Sequence, residues 1–432
     1  MRSMGNGKNL QWSRLDNAAK IFPSTSTSRD SKVFRFACQL NEDVEPEILQ
    51  HALDRTMTQF PFYRCILKKG LFWYYFEDSA QHPVVEAEST PLCAPLYNGD
   101  AKTLLFRTMY YQKRISLEVY HALSDGTGAL NFLQVLVYYY LLEKHEGEFK
   151  EAPPVLDYDA SKNQKQDDSF AKYFEKMQKV RQPKAPAAYR LRGPRFPEYR
   201  IGVIEGTMSV KALLAQAHAY HTTLTVFLTA AMILAIHEDM SLLDQKKPVV
   251  ITIPVNLRNY FPSVSARNFF GIINVGYDFR RQDGQLEDII EYVNSCFQKW
   301  LNKEHLGERM NQLCALEHSL PMKLVPLVLK DPVLRIANWA AEREITAALS
   351  NVGRITMPKE LIPFIDSFDV FTATNRLQAC MCSFQDRFTI SFTSPFLSTD
   401  VQRAFFRFMT SLGIDVEVSS SPFQDEIADE NN

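Results

Sequence analysis

No apolar run in this chain reaches the roughly eighteen residues of a membrane-spanning helix, so no span is expected. Nor does one sign of charge dominate: 48 Lys and Arg face 50 Asp and Glu, a net charge of -2. That balance points away from nucleic acid and from a general membrane-surface binder. Residues 1–11 are polar and lack the apolar stretch of a secretory signal. Met4-Gly5 lacks the following Ser or Thr of a myristoylation site. Seven cysteines are an odd number with no framework spacing, so reduced thiols and a cytoplasmic location are the expectation. No metal site is expected either. Cys380-Met381-Cys382 has no second Cys or His pair near it, and two side chains on one face of a strand read as core thiols. His218 and His221 lie three apart on a helical pattern without a carboxylate in sequence reach, which reads as a surface pair.

What is present is a globular composition, 46% hydrophobic and 23% charged over 432 residues, long enough for more than one core. Residues 1–150 read as a first lobe. Lys32 to Leu40 alternates like a strand, and Pro46 opens a helix whose Leu49, Ala52, Leu53 and Met57 recur at helical spacing. Tyr63 to Leu67 and Phe72 to Phe76 flank a turn at Lys68-Lys69-Gly70, and Leu104 to Tyr111 with Arg114 to Tyr120 make a second hairpin. Residues 151–200 carry Pro153, Pro154, Pro183, Pro186, Pro194 and Pro197 amid dense charge. They read as a solvated crossover linker with one helix around Phe170 to Met177.

Residues 201–418 read as a second lobe that begins again with strand and helix, Ile201 to Gly206 followed by a helix capped by Ser209. Thr222 to His237 is a more apolar helix, and Pro248 to Val255 is a strand buried on both faces. Helices fill Asp283 to Ala341, interrupted by Pro321, Pro326 and Pro332. Strands are expected at Ala347 to Asn351, Asp369 to Ala373, Gln378 to Phe384 and Phe388 to Ser394, before a last helix from Ser398 to Leu412. The acidic tail, 419–432, is expected to be disordered. The fold class is α/β with mixed sheets in two lobes.

The residues with chemical promise are His121-Ala122-Leu123-Ser124-Asp125-Gly126. They close a strand-like run and open an apolar helix-like one. A strand end holds an imidazole rigidly, the turn lets Asp125 fold back, and Gly126 removes a side chain at the expected bend. A short internal repeat supports two related lobes. Tyr111-Gln112-Lys113-Arg114-Ile115-Ser116-Leu117 aligns without gaps on Phe384-Gln385-Asp386-Arg387-Phe388-Thr389-Ile390. In that register His121 falls on Ser394 and Asp125 on Ser398, so only the first copy carries the His and Asp.

Taken together these features resemble the chloramphenicol-acetyltransferase-like superfamily of condensation domains and HxxxD acyltransferases. The usual HHxxxDG motif stands here as Tyr120-His121-Ala122-Leu123-Ser124-Asp125-Gly126. Pro254-Val255-Asn256-Leu257-Arg258 is similar to the segment that supplies an Arg to the motif Asp. Asn268-Phe269-Phe270-Gly271-Ile272-Ile273-Asn274 is similar to a condensation-domain motif, and Ser350-Asn351-Val352-Gly353 to a late strand of these enzymes. The opening, Leu15-Asp16-Asn17-Ala18-Ala19-Lys20-Ile21-Phe22-Pro23, looks most like bacterial stand-alone members of alcohol acetyltransferase type.

The resemblance implies two chloramphenicol-acetyltransferase-like lobes packed as a pseudo-dimer around a tunnel, in a monomeric chain. It implies His121 as general base, Asp125 and Arg258 as a structural pair, and Asn274, Ser350 or Asn351 as oxyanion donors. Tyr120 replaces the first His of the pair, and its hydroxyl is expected to reshape the tunnel. No resident cofactor is implied; the acyl group arrives on CoA or on carrier-protein phosphopantetheine. Three readings stay open: an acyl-CoA-dependent transferase to an alcohol or amine, a stand-alone condensation-type enzyme fed by an acyl carrier protein, and a non-catalytic two-lobed binding protein.

Overall fold

A computed structural model describes residues 12–99, 102–156, 168–175, 186–318 and 324–420. The first half begins with β1 (Trp12–Arg14), α1 (Phe22–Thr25), β2 (Val33–Leu40) and α2 (Pro46–Gln59). Next come β3 (Cys65–Lys69), β4 (Tyr74–Asp78), β5 (Val85–Ala87), β6 (Phe106–Tyr111), β7 (Arg114–Tyr120) and α3 (Gly126–Lys144). Short helices α4 (Glu146–Phe149) and α5 (Ser169–Tyr173) lead to β8 (Gly202–Ser209), α6 (Val210–Ala219), α7 (Leu224–Asp239), β9 (Val249–Asn256) and β10 (Phe270–Tyr277). Then follow α8 (Leu286–Trp300), α9 (Lys303–His318), α10 (Leu327–Glu342), β11 (Ala347–Ile355), β12 (Ile365–Thr372), β13 (Gln378–Phe384), β14 (Arg387–Ser394), α11 (Asp400–Ser411) and β15 (Glu417–Ser420).

Two cores follow from this order. In the first, α2 and α3 cover the five-stranded sheet β12-β2-β7-β6-β5. In the second, α7 packs with α8 and α11 against the seven-stranded sheet β10-β9-β11-β13-β14-β8-β15. Helices α3 and α7 are apolar nearly all round and correspondingly buried. Pro46 stands at the first position of α2, and the Ser209 hydroxyl caps α6 by accepting from the Ala212 amide at 3.3 Å. Strand β9 runs between β10 and β11, which explains its unbroken apolar run.

The repeat is structural. Gln39 pairs with Arg114 and Val33 with Tyr120 between β2 and β7. At the aligned positions Ser209 pairs with Arg387 and Val203 with Thr393 between β8 and β14. The two hairpin turns match in conformation as well: Gln112 has φ 47° and its counterpart Gln385 φ 52°. Each unit is strand, helix, hairpin, helix.

Four expectations are corrected. The range 201–418 is not spatially one lobe, because β12 leaves it and pairs antiparallel with β2, giving the first sheet its edge. Pro332 does not interrupt a helix but lies inside α10; the carbonyl it leaves without an N–H belongs to Val328, which is 70% exposed. The helix expected at Phe170 to Met177 is limited to Ser169–Tyr173, since Phe174 turns to extended backbone, and Lys176 onward lies outside the described residues. Ser419 and Ser420 belong to β15, paired with β8, because an open sheet edge accepts them; the rest of the 419–432 tail lies outside the described residues.

Candidate active site

His121 sits just past the last residue of β7, where its amide donates to the Lys32 carbonyl at 2.8 Å. Its ring stacks on Phe22 of α1 with centroids 4.6 Å apart, and meets Phe34 of β2 at 5.1 Å and Phe270 of β10 at 5.4 Å. The imidazole therefore lies where the ends of both sheets meet. Nδ1 is 3.2 Å from Asn268 Oδ1. The Asn268 Nδ2 donates to Asp16 Oδ2 and to the Ala122 carbonyl, both at 3.3 Å. Two acceptors on the amino side leave the amide oxygen facing His121, so Nδ1 carries the proton and Nε2 keeps its lone pair. Burial among the rings holds the imidazole pKa below its ordinary 6.5, which keeps it neutral near pH 7.

Asp125 points away from this ring. As the N-cap of α3, its Oδ1 accepts from the Gly128 amide at 3.0 Å. Its Oδ2 accepts from Arg258 Nη1 at 2.8 Å and from the Phe269 amide at 2.7 Å. Arg258 spends its remaining donors on the segment after it: Nε and Nη2 reach the Ser265 carbonyl at 3.0 and 2.7 Å, and Nη2 the Arg267 carbonyl at 2.6 Å. Ser124 Oγ donates to the Ala266 carbonyl at 2.5 Å. The loop 265–269 of the second half is thereby clasped onto the motif loop of the first, and Asn268 is delivered to His121.

Comparison with known proteins bears on the fold. Residues 204–382 match the family model for alcohol acetyltransferase. The structure superposes on a trichothecene 15-O-acetyltransferase from Fusarium sporotrichioides with TM-score 0.61 and 12% identity, covering 95% of this chain and 97% of that one. Polyketide synthase associated protein 5 from Mycobacterium tuberculosis gives 0.60 at 13% identity, covering 94% and 98%. A starter condensation domain of rhizomide synthetase, in complex with C8-CoA and Leu-SNAC, gives 0.58 at 14%, covering 93% and 94%. Curated proteins return no match. The solved neighbours establish the fold, and the family match is a similarity over less than half of the chain. The chain has the two-lobed fold of chloramphenicol-acetyltransferase-like acetyltransferases and condensation domains.

The remaining expected site residues are distributed unevenly. Gly126 opens α3 with no positive φ, and a Cβ there would meet only Phe36 at 3.9 Å. The glycine requirement falls on Gly128, where a Cβ would lie 2.0 Å from the Ala266 carbonyl oxygen and 2.3 Å from Ser124 Oγ. Tyr120 is fully buried, its ring beside Tyr97, and its hydroxyl is engaged with Ser26 Oγ at 2.9 Å. It braces α1 rather than offering a free hydroxyl. Asn274 accepts from Thr252 Oγ1 at 2.9 Å across β9 and β10. Asn351 donates to Thr225 Oγ1 at 2.8 Å and accepts from the Gly353 amide, while Ser350 lies in the β11 ladder opposite Cys380. None of these three has a hydrogen bond to His121 among the described residues.

Sequence reasoning missed Asn268, Asp16 and the ring set around His121. Asp16 is fully buried; burial raises its pKa to about 6, against the pull of Arg267, whose Nε lies 3.7 Å away. Both polar residues stand inside quoted motif segments, Asn268 immediately before Phe269-Phe270-Gly271 and Asp16 in the opening. No group of three or more His, Cys, Asp and Glu side chains is placed to hold a metal among the described residues.

Proposed function

We propose that this protein carries an acyl group from a CoA thioester to the hydroxyl of a small alcohol, with His121 as general base. The observation that carries the reading is the imidazole itself, neutral, walled by rings, with Nδ1 tied to Asn268 and Nε2 unprotonated. A thioester is already activated, so the main task is to unmask the nucleophile. Nε2 takes the hydroxyl proton as the alcohol oxygen bonds to the thioester carbonyl carbon. The resulting tetrahedral oxyanion collapses, the carbon–sulfur bond breaks, and the imidazolium returns its proton to the departing thiolate. Asp125 and Arg258 take no part in proton transfer in this scheme; they hold the loop that presents His121. The alcohol is favoured over an amine by the family match.

The condensation-domain neighbour, solved with an acyl-CoA and an aminoacyl thioester mimic, supports a second donor and acceptor pair. Thiol release from a panel of acyl-CoAs and acyl-carrier thioesters, each with alcohol and amine acceptors, separates the two. His121→Ala is expected to lower the rate by about 10²–10⁴. Equal thiol release by wild type and variant removes His121 from the mechanism. Turnover with carrier thioesters alone would move the assignment to the condensation-type reading.

A further inference from the structure

Helix α10 is built inside out. The stripe that faces the protein is Leu327, Lys330, Asp331, Leu334, Asn338 and Glu342, of which Lys330 is 2% exposed and Asp331 7%. These polar groups are all engaged. Asp331 accepts from Ser24 Oγ at 2.7 Å and Tyr74 OH at 3.0 Å. Lys330 Nζ donates to the Phe72 carbonyl at 2.7 Å and lies 3.6 Å above the Trp73 ring, and Asn338 donates to Glu342. The opposite face shows water Val328, Leu329, Val333, Ile336 and Trp339, each 57% exposed or more.

The apolar surface continues beyond the helix. The Leu327 amide donates to the Leu71 carbonyl at 2.8 Å, which brings the tip of the β3–β4 hairpin alongside with Leu71 70% exposed. Leu324, 69% exposed, extends the patch on the N-terminal side. A contiguous apolar patch of this kind on a folded chain marks an interaction surface.

Its charge identifies the occupant. The carboxylates of α10, Asp331 and Glu342, are turned inward on Ser24, Tyr74, Asn338 and Asn375. The charges beside the outer face are mainly cationic: Arg335, whose Nε donates to the Ser24 carbonyl at 2.8 Å, Arg343 stacked on Trp339 at 4.9 Å and followed by Glu344, and Lys69 at the hairpin, whose Nζ lies 3.5 Å from Asp331. Two copies of this face would set cation against cation. A bilayer meets both features, since its acyl chains take the aliphatic side chains, its headgroup layer suits Trp, and anionic headgroups attract the basic rim.

We infer that the outer face of α10, with the β3–β4 tip, docks this protein on an anionic lipid bilayer. The attachment is interfacial, since no single described helix is long and apolar enough to cross a membrane. The net charge of -2 conceals the site because the basic rim is local. Through Ser24 the docked helix grips α1, whose Phe22 stacks on His121, so the bilayer lies close behind the imidazole wall. The inference stands apart from the reading of the chemistry.

Flotation of the full chain with phosphatidylcholine vesicles, with and without about 30% phosphatidylglycerol, tests it. The wild type is expected to float with the anionic vesicles and to release in about 0.5 M salt. The exposed double variant Val333→Glu, Ile336→Glu, checked for an unchanged unfolding midpoint, is expected to bind at least about tenfold less. Failure of the wild type to float, or equal flotation of the variant, overturns the proposal. So does a concentration-dependent dimer that the double variant abolishes, which would assign the face to a second copy.

Discussion

At the scale of the residue, the chemistry rests on one nitrogen kept bare. Burial lowers the His121 pKa, whereas the Asn268 bond and its own backbone carbonyl favour the charged form less strongly. The base is active when unprotonated, so kcat/KM should rise with pH through a value below about 6.5 and stay level above it. Asn268→Leu removes a contact that favours the imidazolium while keeping the site apolar. The acid limb should move to lower pH, and kcat should fall about tenfold with little change in KM. A limb that stays in place with kcat unchanged would show that Asn268 does not orient the ring. His121, Asp125 and Arg258 were legible because a short spacing and a resemblance carry them. Asn268 was not, because it acts on a residue 147 positions away, across a distance at which no periodicity or motif spacing operates.

At the scale of the element, the first turn of α3 is pressed against another backbone. Gly128→Ala would drive a methyl into the Ala266 carbonyl. Its cost should be about 3 kcal/mol or more, with activity lost as the 265–269 loop is pushed off the motif. Gly126→Ala should stay within about 1 kcal/mol of the wild type, since the space is open and Ala favours a helix. Unfolding midpoints in urea check the pair, and the reverse order would contradict the packing. The motif drew attention to Gly126 because it follows Asp125; the close approach at Gly128 depends on a loop from the other half, invisible to local reading. The hairpin repeat fared differently. Its two copies share seven aligned positions, and the pairing register in both sheets follows them, because a β-hairpin is a local structure written in adjacent residues.

At the scale of the molecule, the two sheets face each other across partly enclosed carboxylates. Glu205 of β8 accepts from Ser391 Oγ at 2.7 Å. Burial and then the nearby Asp369 of β12 raise its pKa to about 7. Between about pH 4.5 and 7 the folded chain keeps a proton that the unfolded chain releases, so stability should decline as pH rises through that window. After allowance for partial exposure the loss should be about 2 kcal/mol. Glu205→Gln keeps an oxygen for Ser391 and cannot ionise, so its midpoint should fall less than that of the wild type across the same range. Parallel pH profiles of the two midpoints would refute the assignment. The two-lobed architecture itself was foreseeable from repeat and resemblance, but the passage of β12 into the first sheet was not. Its sequence reads as a strand, and nothing local in it names β2 as the partner.

That crossing has a consequence for how the chain is made. Residues 365–372 leave the ribosome 325 residues after the end of β2, yet β2 has no partner on one side until they arrive. The lobe that carries His121 therefore waits, with an open sheet edge, for a strand encoded far downstream of it. A message truncated before that point yields no half-enzyme, only a first lobe with an exposed edge to be recognised and cleared.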